Sequence, residues 1–194
     1  MSISTDDVKA LRDRTGVSIM QCKKALEEAN GDIEQAVVLL KKRAGAIAEK
    51  KADRDLGAGA IGSYVHGGEV GAMVILSCET DFVGKNEEFV ALARELAMQV
   101  AATDPKFVSD AEITPEAKEA AQKVFEEEVK DKPEDMREKI LEGKMQSYFK
   151  DMVLLNQPHI KNADKTIGDL ISEATQKFGE RVEITRIARF SVRG

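Results

Sequence analysis

The sequence predicts an α+β fold in which a small three-helix bundle precedes a core of antiparallel sheet and helices. Three observations carry this. Short amphipathic patterns with clear caps fill residues 1–50. Runs rich in β-formers stand at 61–66 and 70–78 and again at 182–192, and helical periodicity fills the interval between them.

Ser4 or Thr5 can cap the first helix, whose apolar positions include Val8 and Leu11, and Gly16 supplies a left-handed stop. Ser18 can cap the second, with Ile19, Cys22, Leu26 and Ala29 at three- and four-residue spacing and Asn30-Gly31 closing it. Asp32 can cap a third that carries Ile33, Ala36, Val37 and Leu40. Three short helices with tight turns make a bundle of the ubiquitin-associated kind. Residues 51–59 are polar and then glycine-rich, which breaks the helical period and predicts a mobile linker. The expected division is 1–50 for the bundle, 51–59 for the linker and 60–194 for the core.

Gly67-Gly68 accepts the positive φ angles of a tight hairpin between the first two strands. Asn86 can cap a helix with Phe89, Val90, Ala93, Leu96, Ala97 and Val100 on one face, ending near Asp104-Pro105. Thr114-Pro115 opens an acidic helix to about Lys130. Another begins near Pro133 and extends toward Leu155 unless Gly143 divides it. Thr166 and Asp169 form a capping box ahead of Leu170, Ile171, Ala174 and Phe178, with Gly179 as the stop. In the final run, Ile184, Arg186, Ala188, Phe190 and Val192 alternate onto one face, with Thr185, Ile187 and Arg189 on the other.

Of the 194 residues 42% are hydrophobic and 33% charged, with a net charge of −6, so broad electrostatic attachment to nucleic acid or an anionic membrane is not expected. The stretch 110–142 holds twelve acids and six bases and reads as a solvated helical surface. Cys22 and Cys78 fit neither a disulfide framework nor a zinc spacing, which predicts reduced thiols in a reducing compartment. No apolar run approaches the ~20 residues a membrane helix needs, and the start lacks a signal pattern, so the cytoplasm is the expected compartment. An organellar protein in mature form would look the same.

Cys78 with His66 as base is the one nucleophilic pair the sequence offers, and it has no third orienting group. His159 after Pro158 reads as a loop residue. The glycines at 57–62 are not followed by the Lys-Ser/Thr of a phosphate loop. No catalytic residue is therefore expected. Thr80-Asp81-Phe82-Val83 places two bulky apolar residues where a strand ends and a helix starts. Pattern alone favours Phe82 as a plug folded under the helix, with Thr80 or Asp81 as cap; the alternative is an aromatic held for a partner. Met20 falls off the inward face of its helix, either filling a gap or offering an adaptable contact.

The segment from Leu11-Arg12-Asp13-Arg14-Thr15-Gly16 through Ile19-Met20-Gln21-Cys22-Lys23-Lys24-Ala25-Leu26 to Asn30-Gly31-Asp32-Ile33 resembles the amino-terminal signature of the elongation factor Ts family. Cys78-Glu79-Thr80-Asp81-Phe82-Val83 resembles that family's second signature, and Glu142-Gly143-Lys144-Met145 and Leu154-Leu155-Asn156-Gln157-Pro158 also match. Ile19 stands where the family commonly has Met, and Gly84, where Ala is usual, is expected to loosen the helix that presents Phe82.

The resemblance implies a non-enzymatic exchange factor that binds the GTPase elongation factor Tu in its GDP form and promotes GDP release. Asp81 and Phe82, with Thr80 and Val83, would enter the partner's nucleotide domain and disturb its magnesium site. Arg12, Ile19 and Met20 would dock the bundle on the same domain. Any magnesium then belongs to the partner, so the resemblance implies no metal and no cofactor on this chain. A ubiquitin-associated-like peptide-binding module fused to an unrelated α+β domain is the alternative, and it leaves the Thr80 motif idle. Longer family members carry two related core subdomains, so two arrangements follow for this chain: a homodimer seamed along 182–192, or a monomer in which that strand pairs with the hairpin.

Overall fold

Local capping decides where the helices begin. In a computed structural model that describes residues 3–131 and 133–193, Ser4 caps helix α1 (Thr5–Thr15) through a reciprocal capping box with Asp7, and Gly16 at φ 68° ends it. Ser18 caps α2 (Ile19–Glu28), and Asp32 caps α3 (Ile33–Lys50), which at 18 residues is longer than predicted. Leu11, Cys22, Ala25, Leu26, Ala36 and Leu40 meet inside a core belonging to these three helices alone.

The second core lies between a sheet and two helices. Strands β1 (Ala58–His66) and β2 (Val70–Cys78) form the predicted hairpin, with Gly67 and Gly68 at φ 57° and 74°. Helix α4 (Asp81–Gly84) is a single turn, and Asn86 caps α5 (Glu87–Thr103). Helices α6 (Pro115–Val129) and α7 (Glu134–Met152) pair as a hairpin, followed by the short strands β3 (Pro158–His159) and β4 (Asn162–Thr166). The Thr166–Asp169 box starts α8 (Ile167–Phe178), and β5 (Val182–Ser191) returns to the sheet, whose antiparallel order is β1-β2-β5.

Helix α5 lies on the sheet with Phe89, Ala93, Leu96 and Val100 against Val74, Leu76 and Cys78 of β2. Phe178 closes the α8 side, its ring edge-on to Phe89 at 5.5 Å.

Three expectations need correction. First, β5 does not keep one apolar face. Leu76 pairs with Ile184 but Ile75 with Arg186, so Thr185 is an extra residue in a bulge and the alternation inverts there. Val182 and Ile184 are buried, yet beyond the bulge it is Ile187 that packs on the core and Arg189 that turns its Nε to the Ala101 carbonyl at 3.1 Å. Phe190 is left 72% exposed. Second, β1 begins at Ala58, inside the expected linker, and the residues before it are tied down. Lys51 Nζ donates to the Gly179 carbonyl at 2.6 Å, and Arg54 pairs with Glu79 at 2.9 Å. Third, His159 is a buried strand residue, with Nε2 2.9 Å from Glu95 Oε1 but out of line for a hydrogen bond.

The acidic region forms the α6–α7 hairpin, whose charges are mostly exposed around a seam of Ile113, Ala121, Phe149 and Val153. Gly143 does not divide α7. Nothing lies within 4 Å of where its Cβ would stand, so Gly143→Ala is expected to stabilise the protein by about 0.5–1 kcal/mol through helix propensity alone. A higher urea midpoint would bear this out, and a lower one would show that the hairpin needs the glycine.

Candidate partner-docking site

The corner between β2 and α4 is built on buried groups. Cys78 is buried and donates its thiol to the Thr80 carbonyl at 3.1 Å, and burial raises its pKa. It sits at the Ala58 end of the hairpin while His66 sits at the Val70 end, about 27 Å away along the strand. The two cannot act as nucleophile and base.

Val83 and Gly84 take the inner side of α4. A Cβ on Gly84 would stand 3.0 Å from the backbone N and O of Gly59, so the glycine seats the turn closely on β1 rather than loosening it. With the inner side filled by Val83, Phe82 points outward and is 82% exposed. The plug reading is therefore wrong: Val83 is the plug. Asp81 beside it is also exposed and pairs with Lys85 at 2.7 Å. That hydrogen bond lowers the Asp81 pKa and raises that of Lys85.

Thr80 is held from a distant part of the chain. It stands at the N-cap of α4 without capping it; its hydroxyl donates instead to Glu180 at 2.6 Å and its amide to the other oxygen of the same carboxylate at 2.9 Å. Glu79 in turn accepts from the Arg181 amide at 2.6 Å and from Arg54. The Arg181 amide first, then Arg54 and Lys51, hold the Glu79 carboxyl below the usual carboxylate range. Glu180 carries no local sequence signal beyond the Gly179 helix stop before it.

Ile19 and Met20 occupy the first turn of α2 and are 59% and 82% exposed. Met20 does not fill a gap in the bundle; with Lys24, Arg43 and Ile47 it lines a shallow groove reaching Gln176 of α8. Arg12 is exposed on α1. Helix α8 connects the two apolar patches: Gln176 donates to Gln21, next to Met20, at 2.6 Å, while Glu180 just past the same helix holds Thr80. Those two anchors stand on either side of the Gly179 stop that ends α8.

A partly open cleft between the bundle and α8, about 310 Å³, is lined by Arg14, Glu34, Lys165 and Glu173 among others. Four of its charges pair with one another, Arg14 with Glu34 and Lys165 with Glu173. Among the described residues no group of three or more His, Cys, Asp or Glu side chains is placed to hold a metal ion. The exposed features are instead apolar side chains on rigid seats, which suit contact with another macromolecule.

Residues 17–194 match the sequence model of the family described as elongation factor TS. The chain belongs to the elongation factor Ts family. Elongation factor Ts of Thermodesulfovibrio yellowstonii is 44% identical over 193 residues, covering 99% of this chain and 97% of the relative. That of Thermosipho melanesiensis is 46% identical with 98% of each covered, and that of Leptospira biflexa 46% identical with 100% of each covered. Membership makes the chain a translation elongation factor of protein biosynthesis. The family match includes Ile19, Met20 and the Thr80-Asp81-Phe82-Val83 corner, whereas Arg12 precedes it. No described helix is long and apolar enough to cross a membrane.

Proposed function

We propose that this elongation factor Ts chain binds elongation factor Tu in its GDP form and promotes release of GDP, acting as an exchange factor without catalytic residues of its own. The observation that carries the reading is the outward Phe82 on a turn whose inner side is locked by Val83 and Gly84. An exposed aromatic on a backbone turn that is already seated costs little backbone ordering on entering a pocket, which suits an interface hot spot. Asp81 and Phe82 disturb the magnesium site of the partner's nucleotide domain, while Arg12, Ile19 and Met20 dock the bundle on the same domain. By linkage, a factor that weakens GDP binds the nucleotide-free partner more tightly than the GDP-bound one.

The test is release of a fluorescent GDP analogue from elongation factor Tu chased with excess GTP. Addition of the chain is expected to accelerate release, and Met20→Ala is expected to raise the half-saturating concentration about 5-fold, near 1 kcal/mol. Unchanged release at saturating chain would refute the exchange reading.

A second copy of the chain is the proposed cover for the outer face of the sheet. Ile61, Val65, Met73 and Phe190 stand exposed there on three adjacent strands, and an apolar face of this kind is self-complementary about a two-fold axis. The seam thus moves from the single strand of the sequence expectation to the face of the whole sheet. Sedimentation velocity over a concentration series is expected to show a species of twice the 21.3 kDa chain mass that Phe190→Glu removes. A single species of one chain mass at every concentration would end the idea.

A further inference from the structure

We infer that Glu180 is a positioning residue for Phe82, an inference that rests on the exchange reading above. The geometry is a reciprocal clamp between two chain corners a hundred residues apart. Glu79 and Thr80 leave β2; Glu180 and Arg181 lead into β5. Each corner supplies one carboxylate to the other's backbone: Glu180 receives the Thr80 amide at 2.9 Å, and Glu79 receives the Arg181 amide at 2.6 Å. The free oxygen of Glu180 also receives the Thr80 hydroxyl at 2.6 Å. Both donors of Thr80 are therefore spent on one side chain, and the rotamer of Thr80 and the entry direction of α4 are fixed together.

No other hydrogen bond of Thr80 among the described residues replaces this hold. The side chain makes no capping bond to α4, and its carbonyl accepts the Cys78 thiol and the Gly84 amide, the latter belonging to α4 itself. Phe82 lies two residues on, so a change in the direction of Thr80 moves the aromatic ring relative to the rest of the docking surface. The same corner is continuous with α8, which carries Gln176 against Gln21 beside Met20. Glu180 thus sets the aromatic in register with the patch on α2.

A purely structural role for Glu180 would lower stability and leave exchange in proportion to the folded protein. A positioning role makes a different pattern. Glu180→Ala is expected to speed amide hydrogen exchange over residues 80–85 in the free protein and to lower the GDP release rate at saturating chain about 10-fold or more. The half-saturating concentration should change less than 3-fold, because Arg12, Ile19 and Met20 still dock, and the thermal midpoint should move by no more than about 3 °C. Glu180→Gln keeps one acceptor and is expected to recover part of the rate.

Unchanged amide protection over 80–85 in Glu180→Ala would overturn the inference. So would an unchanged release rate in that variant when Phe82→Ala, measured alongside, has lost it. If Phe82→Ala itself releases GDP at the unaltered rate, it is the exchange reading that fails, and the hold of Glu180 on the α4 turn is then decided by the amide protection alone.

Discussion

Phe82→Ala is expected to remove most of the exchange activity and almost none of the stability. The side chain is 82% exposed and contributes nothing to either core, so unfolding free energy should stay within about 0.5 kcal/mol of the unaltered protein. In the complex the same ring would be fully buried, and truncating an aromatic hot spot costs about 2–3 kcal/mol, which corresponds to about 30- to 150-fold in rate or affinity. Stopped-flow GDP release and thermal melting on one preparation separate the two effects. Near-normal release would refute the wedge role, and a large drop in melting temperature with weak binding would return Phe82 to the protein's own interior.

The largest loss of stability is expected at a residue with no side chain. A Cβ on Gly62 of β1 would stand 1.9 Å from the Ala93 carbonyl oxygen and 2.6 Å from the Arg94 amide nitrogen of α5. Both are backbone atoms, so no rotamer change relieves the clash, and the helix must lift from the strand across which Phe89, Leu96 and Val100 pack. Gly62→Ala should therefore cost about 3 kcal/mol, the upper part of the range for overpacking. Urea denaturation measures it, with Gly143→Ala as the opposite control. An unchanged midpoint would mean that α5 sits farther from β1 than described.

What the sequence made legible follows the range of the interaction. Ser4, Ser18, Asp32, Asn86 and Thr166 cap the helices expected of them because a cap is settled within four residues. The Gly67-Gly68 turn is equally local. The proposed docking residues are nameable from signature-like segments, but whether Phe82 turns in or out is not, since that depends on Val83 filling the seat and on Gly84 meeting Gly59 on another strand. The β5 bulge was hidden for the same reason. Alternation along the strand is a property of one segment, whereas the bulge belongs to its pairing with β2. His159 looked like a loop residue because its partner, Glu95, lies on α5.

The position of β5 beside β2 also has a kinetic side. The bundle of α1, α2 and α3 closes on contacts within fifty residues, so it can assemble as soon as those residues are available. The sheet cannot. Its middle strand has β1 as an immediate neighbour but waits for β5, with Ser77 and Thr185 separated by 108 positions. Bringing segments so far apart together costs about 4 kcal/mol of chain entropy from the length-dependent contribution alone. On a ribosome, where residues emerge in order, α5 can settle on the β1–β2 hairpin but the far edge of β2 stays unpaired until β5 has been made, and the nascent chain is most open to aggregation in that interval.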